Sequence, residues 1–492
     1  MSQAILIRLL PEAVLVAAAA AVIITALVRG GSGRIVSTVI GVAGVAASVV
    51  LQAFMSDDQT VMIGGMVAFD HMSSAFRLVF MAAAAVVLLS SPGSKDIDSH
   101  RYPEYVALVL LFSVGLGLVA TAANLLMLYI AMEMISIIAY SLTAFDISRP
   151  RSGEAGLKYA IFGAVASGVS LFGVSIIYGL FGTLDYQALR VGMAQAATQG
   201  PQSLLLAMGL LFFLGGLMFK VAAVPFHAWC PDAYEGAPTP FTALMSVAPK
   251  AAGFAALCRF VWAVLSGPVT GDGSFAAMSG VPWIAVLGVV SALTMTLGNL
   301  SAIGQSNLKR MLAYSSIAHA GYVLMGVVAL SREGFSAVIA YLVIYLVMNL
   351  GAFLCIIAAA SFTGGEQIED WRGMSRRNLP LAVCFGIFLL SLAGIPPLAG
   401  FVGKFYLFYA VIVTGGKWLW LLAVIGVLNS VISLYYYARI LRAMFLFEPT
   451  AEALAQKACT ARLNMAMLWL LAPITVILGV YWSPLIEFAR RI

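Results

Sequence analysis

Apolar residues fill long stretches of this chain, and glycine, proline and charged residues separate one stretch from the next. Most stretches reach the length of about 20 residues that an α-helix needs to cross a membrane. The alternation typical of a transmembrane β-barrel is not visible. The pattern predicts an all-α polytopic membrane protein with about 14 transmembrane helices, at residues 5–28, 36–54, 70–90, 104–121, 124–145, 156–181, 203–228, 240–264, 282–302, 309–329, 334–361, 380–412, 417–444 and 464–487.

The composition supports this fold class and excludes several others. Of 492 residues, 62% are hydrophobic and 10% are charged, with a mean hydropathy of +1.00. Soluble domains carry about 25% charged residues, so an ordinary soluble protein, a disordered chain and a coiled coil are excluded. The first apolar run is too long for a signal peptide and lacks its basic start, so we expect it to remain as the first span.

Motifs for cofactors are absent from the sequence. The five cysteines show no CxxC pair and no Cys/His ligand spacing, so we interpret them as small apolar side chains and expect no metal. No P-loop, dinucleotide fingerprint, haem motif or cluster motif is present either. We therefore expect no cofactor on this chain, and a partner or an ion gradient must supply its energy. The cysteines are Cys230, Cys258, Cys355, Cys384 and Cys459.

The basic residues indicate topology rather than a nucleic-acid partner. The net charge is +6, but the 27 lysines and arginines form no run or stripe. The odd-numbered connections between spans hold more of them than the even connections and the two ends, which predicts cytoplasmic odd connections and periplasmic termini. The odd connections hold Arg29, Arg34, Lys95, Arg101, Arg149, Arg151, Lys309, Arg310, Arg372, Arg376, Arg377, Lys457 and Arg462. The even connections and the ends hold Arg8, Arg190, Arg332, Lys417, Arg490 and Arg491.

A weak internal repeat divides the chain. EMISIIAY at 133–140 resembles SSIAHAGY at 315–322, and Lys220 and Lys404 are separated by a similar offset. Each copy would hold five spans, and because five is odd the second copy would be inverted in the membrane, as in many transporters. The predicted division is three helices in 1–103, a first repeat in 104–265, a second repeat in 282–445 and a last helix in 463–492.

Two of the predicted helices, in spans 7 and 12, should be broken. Span 7 carries Pro225 shortly after Lys220, and span 12 carries Pro396 and Pro397 shortly before Lys404. Proline removes a helical hydrogen bond, and broken helices often form ion sites in transporters. Both lysines are therefore candidates for such a site.

Four charged residues lie too deep in their spans to reach the membrane surface, namely Glu133, Lys220, Lys250 and Lys404. A charge at the centre of a span costs about 2.5–3.5 kcal/mol. Ion pairs that only fix helix packing are one explanation, but three lysines against one glutamate leave charge that such pairs would not neutralise. We favour a series of groups that carries protons, since a buried lysine can release its proton and an arginine cannot.

Lys158, His227 and His319 are candidate relays. Lys158 lies near the start of span 6 and fits a snorkelling side chain and a proton-uptake group equally well. Each histidine could pass protons between lysines or could be a hydrogen-bonded packing residue. Four arginines are predicted to lie at the membrane interface: Arg77, Arg259, Arg439 and Arg442.

Four segments together resemble one family. They are GLKYAIFGAVASG (156–168), FKVAAVPFHAWCPDAYEGAPTPFTALMSVAPKAAGFAA (219–256), NLKRMLAYSSIAHAGYVLMG (307–326) and LSLAGIPPLAGFVGKFYLF (390–408). The chain closely resembles the subunit N family of bacterial proton-pumping NADH:quinone oxidoreductase, respiratory complex I, whose mitochondrial counterpart is NADH dehydrogenase subunit 2. The resemblance covers essentially the whole chain.

The resemblance implies an antiporter-like fold with two inverted five-helix repeats and broken helices 7 and 12. It implies proton translocation driven by quinone reduction elsewhere in the complex, with Glu133 paired to Lys220 and with Lys250 and Lys404 further along the path. NADH, FMN, iron–sulfur clusters and quinone would be bound by other subunits. The expected neighbours are the antiporter-like subunit M, the small subunit K and lipid of the bacterial inner membrane.

Two other functions belong to different classes. A Mrp-type cation/proton antiporter subunit would exchange ions without a redox partner, and the wording of the four segments argues against it. A structural scaffold with inert ion pairs is the third possibility, and the excess of buried lysine argues against that.

Overall fold

The computed structural model describes residues 7–29, 33–55, 61–196, 202–269, 274–277, 281–360, 362–363, 365–449 and 461–492. Lys457, Cys459 and the first two positions of the first predicted span lie outside these residues. In the described part, long helices make up nearly all regular structure, so the fold is all-α and polytopic, as predicted. The four described cysteines are buried and free, in agreement with their interpretation as apolar side chains.

Three helices precede the first predicted repeat. They and the short hairpin between them are α1 (Leu10–Arg29), α2 (Arg34–Ala53), β1 (Val61–Ile63), β2 (Val67–Phe69) and α3 (His71–Ser90). The two strands pair in antiparallel register, with Val61 opposite Phe69. The sequence analysis predicted no strand here, because a three-residue strand is too short to show an alternating pattern.

Seven helices make up the region of the first predicted repeat. They are α4 (Tyr102–Thr121), α5 (Leu125–Thr143), α6 (Pro150–Phe181), α7 (Tyr186–Ala196), α8 (Gln202–Val221), α9 (Trp229–Gly236) and α10 (Thr239–Phe260). A π-helical turn, Val261–Leu265, extends α10. Helix α7 is a short connection that the apolar pattern did not predict, because it is much more polar than the spans.

The second region repeats this order of three long helices, a broken helix and a long helix. Its elements are β3 (Ser266–Val269), β4 (Phe275–Ala277), α11 (Trp283–Ile303), α12 (Leu308–Val328), α13 (Arg332–Ala359), α14 (Met374–Arg377), α15 (Leu379–Ala393), α16 (Ala399–Thr414) and α17 (Lys417–Leu446). Two helices follow, α18 (Arg462–Val480) and α19 (Ser483–Arg491). Thirteen described helices are long and apolar enough to cross a membrane, and α15 with α16 occupy the predicted twelfth span.

Both predicted helix breaks are present. Helix α8 ends at Val221, and the chain resumes as α9 only after Pro225, so span 7 extends beyond its predicted end at residue 228. Helix α15 ends at Ala393 and is capped by Gly394, whose φ of +88° favours glycine, and Pro396 and Pro397 precede α16. The last predicted span is in fact two helices, since α18 ends at Val480 and α19 follows after a short turn.

Three helices form the centre of the bundle. Nearly every residue in the apolar stretches of α10, α12 and α13 is buried, whereas only about one third of the residues in those of α1, α6 and α17 are buried. The exposed side chains are apolar, as expected for a lipid-facing surface. The outer helices enclose the central ones, so the polar residues of the central helices lie in the interior of the bundle. These few polar residues are the candidates for function.

Helix α10 is anchored at both ends. Asp96 accepts hydrogen bonds from the backbone and hydroxyl of Thr239, at 3.1 and 2.7 Å. Burial opposes charge on Asp96, but the Lys309 ammonium and the Thr239 hydrogen bonds outweigh it and hold the pKa of the Asp96 carboxyl below its usual value. At the other end, Arg259 forms a two-pronged ion pair with Asp70 at 2.6 and 2.8 Å. These contacts hold the central lysine-bearing helix in place.

Candidate functional site

The Lys220 ammonium is held by helix α5. Lys220 lies in the last turn of α8, immediately before the break, and is 2% exposed. Its Nζ donates a hydrogen bond of 2.7 Å to Oγ of Ser136 and lies 3.5 Å from the carbonyl oxygen of Met132. Both acceptors are neutral, so they stabilise the cation without cancelling its charge.

Glu133 lies one turn before Ser136 on α5 and is half-buried. Its carboxylate accepts a hydrogen bond from the hydroxyl of Ser167 on α6. Glu133 and Lys220 line the same small cavity between α5, α6 and α8, but among the described residues neither forms an ion pair within 4 Å. The two charges therefore share a cavity without a direct bond in this structure.

Lys250 lies in the middle of α10 and is 3% exposed. Its Nζ donates a hydrogen bond of 2.6 Å to Oγ of Ser316 on α12. It also lies 5.8 Å from the ring centroid of Tyr234 on α9, and the Tyr234 hydroxyl is 3.2 Å from Oγ of Ser316. Lys250 thus contacts both the second half of broken span 7 and a helix of the second predicted repeat.

His319 is surrounded by tyrosines. It lies on α12 and is buried. Its Nδ1 lies 2.5 Å from the hydroxyl of Tyr341 on α13, and its Nε2 lies 3.4 Å from the hydroxyl of Tyr437 on α17. The Tyr437 hydroxyl lies 2.5 Å from Oγ of Ser315. Every polar neighbour of the imidazole is a hydroxyl that can donate or accept, which suits a relay as well as a packing residue.

Lys404 occupies the second helix break. It lies in the second turn of α16 and is 3% exposed. Its Nζ donates to the carbonyl oxygen of Ala393 at 2.9 Å and to Oγ of Ser430 at 3.0 Å, and it lies 4.8 Å from the Tyr322 ring centroid. Ala393 is the last residue of α15, so the break exposes a carbonyl at the negative end of a helix, which favours a cation.

Lys220 and Lys250 are connected through α10. The stem of Lys220 packs beside Gly253, where a Cβ atom would lie 3.4 Å from Cγ of Lys220 and 2.7 Å from Cγ1 of Val221. Gly253 lies three residues, about one helical turn, after Lys250 on α10. Glycine is needed at this position because a larger residue would separate α8 from α10.

Lys250 and Lys404 are connected through α12. Lys250 binds Ser316, and the adjacent Ser315 contacts the tyrosine that reaches His319. The ring centroids of His319 and Tyr322 are 5.9 Å apart, and the Tyr322 ring lies under the Lys404 ammonium. Four charged residues predicted from the sequence therefore form one row with His319 through the centre of the bundle. They are Glu133, Lys220, Lys250 and Lys404.

Lys158 lies outside this row. Its Nζ pairs with Glu154 at 2.6 Å and with Asp232 of α9 at 3.0 Å, and 43% of the side chain is exposed. Asp232 also pairs with Arg310 of α12 at 2.5 Å. The cluster surrounds a cavity of about 230 Å³ at the end of the bundle where α6 and α12 begin, so Lys158 is a surface group that fixes α9.

His227 lies in the break between α8 and α9 and is half-buried. Its Nδ1 has no hydrogen-bond partner among the residues that the structure describes. No contact places it against Lys220 or Lys250 in that part of the chain, so a relay through His227 stays a prediction.

The interfacial position of Arg77 stays a prediction, but its side chain is buried inside the bundle. Arg77 is 1% exposed and forms a 2.5 Å ion pair with Glu12 of α1. Glu12 was not singled out from the sequence, because a carboxylate near the start of a span is typical of the membrane interface. Arg259 is also largely buried, against Asp70, whereas Arg442 is exposed.

Sequence reasoning missed the hydroxyl partners of the lysines, Ser136, Ser316 and Ser430. Serine is common in transmembrane helices, and its side chain often bonds its own helix, so a lone serine carries little signal. Ser136 and Ser316 lie in the two repeat segments, which is the one hint in the sequence. Ser430 had none.

The fold and this row define a class of protein: a polytopic all-α membrane protein with broken helices and a row of buried lysines bonded to hydroxyls. Among the described residues, no group of three His, Cys, Asp or Glu side chains could hold a metal ion. The buried groups are suited to proton transfer, since the ammonium group of each lysine donates a hydrogen bond to a serine hydroxyl, and a hydroxyl can both accept and donate.

Comparison with known proteins gives the family. A family model described as "NADH:quinone oxidoreductase/Mrp antiporter, TM" matches residues 122–433, and the chain belongs to this family. It is 45% identical over 460 residues to NADH-quinone oxidoreductase subunit N of Anaeromyxobacter sp. (strain Fw109-5), covering 90% of this chain and 88% of that protein.

Two solved structures share the fold over nearly the whole chain. A chain of respiratory complex I from Thermus thermophilus is 29% identical with a TM-score of 0.78, covering 98% of this chain and 99% of that one. A chain of the Mrp complex from Dietzia sp. DQ12-45-1b has a TM-score of 0.80 at 23% identity, covering 98% and 96%. The second likeness concerns the fold alone.

Proposed function

We propose that this chain is an N-type subunit in the membrane arm of NADH:quinone oxidoreductase and that it carries protons along Glu133, Lys220, Lys250 and Lys404. Family membership and the 45% identical subunit N support the assignment to the complex. The row of buried groups supports the proton path.

One observation carries the proton path: Lys220, Lys250 and Lys404 each donate to a serine hydroxyl, and among the described residues none of these three has a carboxylate partner, unlike the buried Lys309, which pairs with Glu366. The bonds are 2.7, 2.6 and 3.0 Å long, and no ion pair of these lysines occurs within the described part of the chain. Three unpaired charges would cost roughly 8–10 kcal/mol on insertion scales. A scaffold would avoid this cost with apolar side chains.

The serine hydroxyl suits both states of a lysine. It accepts a hydrogen bond from the ammonium and, after rotation, can donate one to the neutral amine. A carboxylate would instead hold the proton on the lysine. Movement of Glu133 toward Lys220 within their shared cavity would therefore switch Lys220 from releasing its proton to keeping it.

The proposal includes the wider arrangement. The two groups of five spans, 104–265 and 282–445, act as inverted repeats, with 1–103 and 463–492 outside them. Both termini face the periplasm of a bacterial inner membrane. Subunits M and K are the neighbours, and NADH, FMN, iron–sulfur clusters and quinone are bound by other subunits of the complex.

Proton pumping per NADH oxidised tests the path, measured in native membranes with assembly confirmed, for Lys404→Arg and Lys404→Ala. Lys417→Arg and Lys417→Ala, at the exposed start of α17, are the matched controls. We expect both Lys404 variants to pump poorly, because arginine keeps the charge but does not release its proton. An unchanged ratio in both would remove the relay, and loss in Lys404→Ala alone would make Lys404 a structural cation.

A Mrp-type antiporter subunit is the second candidate, because the Dietzia chain has the same fold. Purification from native membranes separates the two. Co-isolation with flavin and iron–sulfur subunits supports the first assignment, and isolation without any redox subunit supports the second.

A further inference from the structure

A second cavity, of about 450 Å³, lies at the end of the bundle where α3 and α13 begin and α10 ends. None of the three lysines of the row is among the residues that line it. Helix α19 lines one side, packed against α13 through its buried Ile486 and Ala489. The cavity therefore lies between the ends of α3, α10 and α13 and the last described helix.

Four arginines from three separate parts of the chain converge on this cavity, which we name the arginine pocket: Arg259, Arg332, Arg490 and Arg491. Three of them belong to the six basic residues on the side predicted to be poor in positive charge. Against the single acidic side chain in the lining, Asp70, they leave a side-chain charge of +3.

The positive charge is only partly neutralised within the described residues. Arg259 is paired with Asp70, and Arg490 lies 3.2 Å from Glu333 in an exposed contact. Arg332 and Arg491 form no ion pair with any residue that the structure describes, and Arg332 is exposed. Two guanidinium groups are thus available to a ligand.

Part of the lining of the arginine pocket is apolar and aromatic. Trp262 is 42% exposed and packs at 5.2 Å between ring centroids against Phe335, with Phe275 at 5.1 Å. Met72 and Ile339 complete this part of the lining. Tryptophan at a membrane–water interface packs beside lipid headgroups, so the pocket offers cations and an apolar surface side by side.

We propose that the arginine pocket binds an anionic phospholipid, with the phosphate between Arg332 and Arg491 and an acyl chain along Trp262. A basic pocket between transmembrane helices suits such a headgroup, and arginine binds phosphate oxygens through two parallel hydrogen bonds. A soluble anion would use the guanidinium groups but not the aromatic part of the lining. This site is independent of the proton path.

Phosphatidylglycerol binding to the purified, delipidated complex tests the proposal. Retained lipid is counted by native mass spectrometry, and the thermal shift is recorded with added phosphatidylglycerol, phosphatidylcholine or inorganic phosphate. The double variant Arg332→Gln, Arg491→Gln should bind phosphatidylglycerol about thirtyfold more weakly, at about 1 kcal/mol for each arginine. The matched control, Arg190→Gln with Lys417→Gln, removes two basic residues from the same predicted side outside the pocket and should bind as the parent does.

Three results would overturn the proposal. Equal phosphatidylglycerol binding by the double variant and the control would remove the site. Equal stabilisation by inorganic phosphate and phosphatidylglycerol would make it a site for a free anion. Loss of a neighbouring subunit from the double variant, with phosphatidylglycerol affinity unchanged, would make the pocket a protein contact.

Discussion

Ser136→Ala removes the short hydrogen bond to the Lys220 ammonium and leaves the Met132 carbonyl at 3.5 Å. Ser136 is 2% exposed, so alanine places a methyl group against a buried cation. A hydrogen bond to a charged group contributes about 1.5–3 kcal/mol. The same hydroxyl bonds the neutral amine by about 0.5–1.5 kcal/mol, so the protonated state loses about 1–1.5 kcal/mol more than the neutral one. Since 1.4 kcal/mol corresponds to a factor of about ten, the protonated state of Lys220 becomes about tenfold rarer relative to the neutral amine.

We expect redox-driven proton pumping to fall by about tenfold in Ser136→Ala, in proportion to the loss of protonated Lys220. The complex should still assemble, because alanine leaves a void no larger than a hydroxyl group. The assay is the initial rate of proton uptake by inverted membrane vesicles divided by the rate of NADH oxidation. Assembly is measured on native gels, and Ser136→Thr, which keeps the hydroxyl, should retain part of the activity.

The matched control is Ser141→Ala on the same helix. Ser141 is exposed, and its hydroxyl bonds only its own helix, at 3.0 Å to the carbonyl of Ile137. It therefore reports the effect of losing a serine from α5 without touching Lys220. Equal pumping by Ser136→Ala, Ser141→Ala and the parent would refute the argument that the hydroxyl sustains the proton on Lys220.

Arg77→Met leaves the Glu12 carboxylate buried without its partner, which costs about 3–5 kcal/mol, whereas Glu12→Leu with Arg77→Met should recover most of that loss. The stability of both variants is measured by thermal unfolding of the purified complex and by the amount of assembled subunit. If Arg77→Met alone is as stable as the parent, the buried pair does not contribute as argued. Arg376→Cys should react with a membrane-impermeant thiol reagent from the cytoplasmic side, and Arg491→Cys from the opposite side. Labelling of both from one side would overturn the topology.

The helices and their breaks were predictable because they depend on local sequence. A run of apolar residues crosses the membrane as a helix whatever lies beside it, since every backbone group must be bonded within the segment. Pro225 and the pair Pro396 and Pro397 interrupt that bonding wherever they occur. The hairpin that contains Val61 and helix α19 were not predicted, because short elements carry too little periodicity.

The depth of the charged residues was likewise readable from the sequence, since it follows from their distance to the ends of their spans. The sequence therefore determined the fold class and the four candidate residues Glu133, Lys220, Lys250 and Lys404. It also indicated that they were unlike ordinary lipid-facing residues, because of the cost of a charge in the membrane.

Only the tertiary structure decided which groups those charges meet. Ser136 and Ser430 bind lysines 84 and 26 residues away, and Glu12 meets an arginine 65 residues away. Such pairs depend on how each helix is rotated about its own axis and packed against its neighbours. The apolar pattern does not specify this rotation, because lipid and the protein interior favour the same apolar side chains. The same reason hid the arginine pocket, whose members come together only when α10, α13 and α19 are packed.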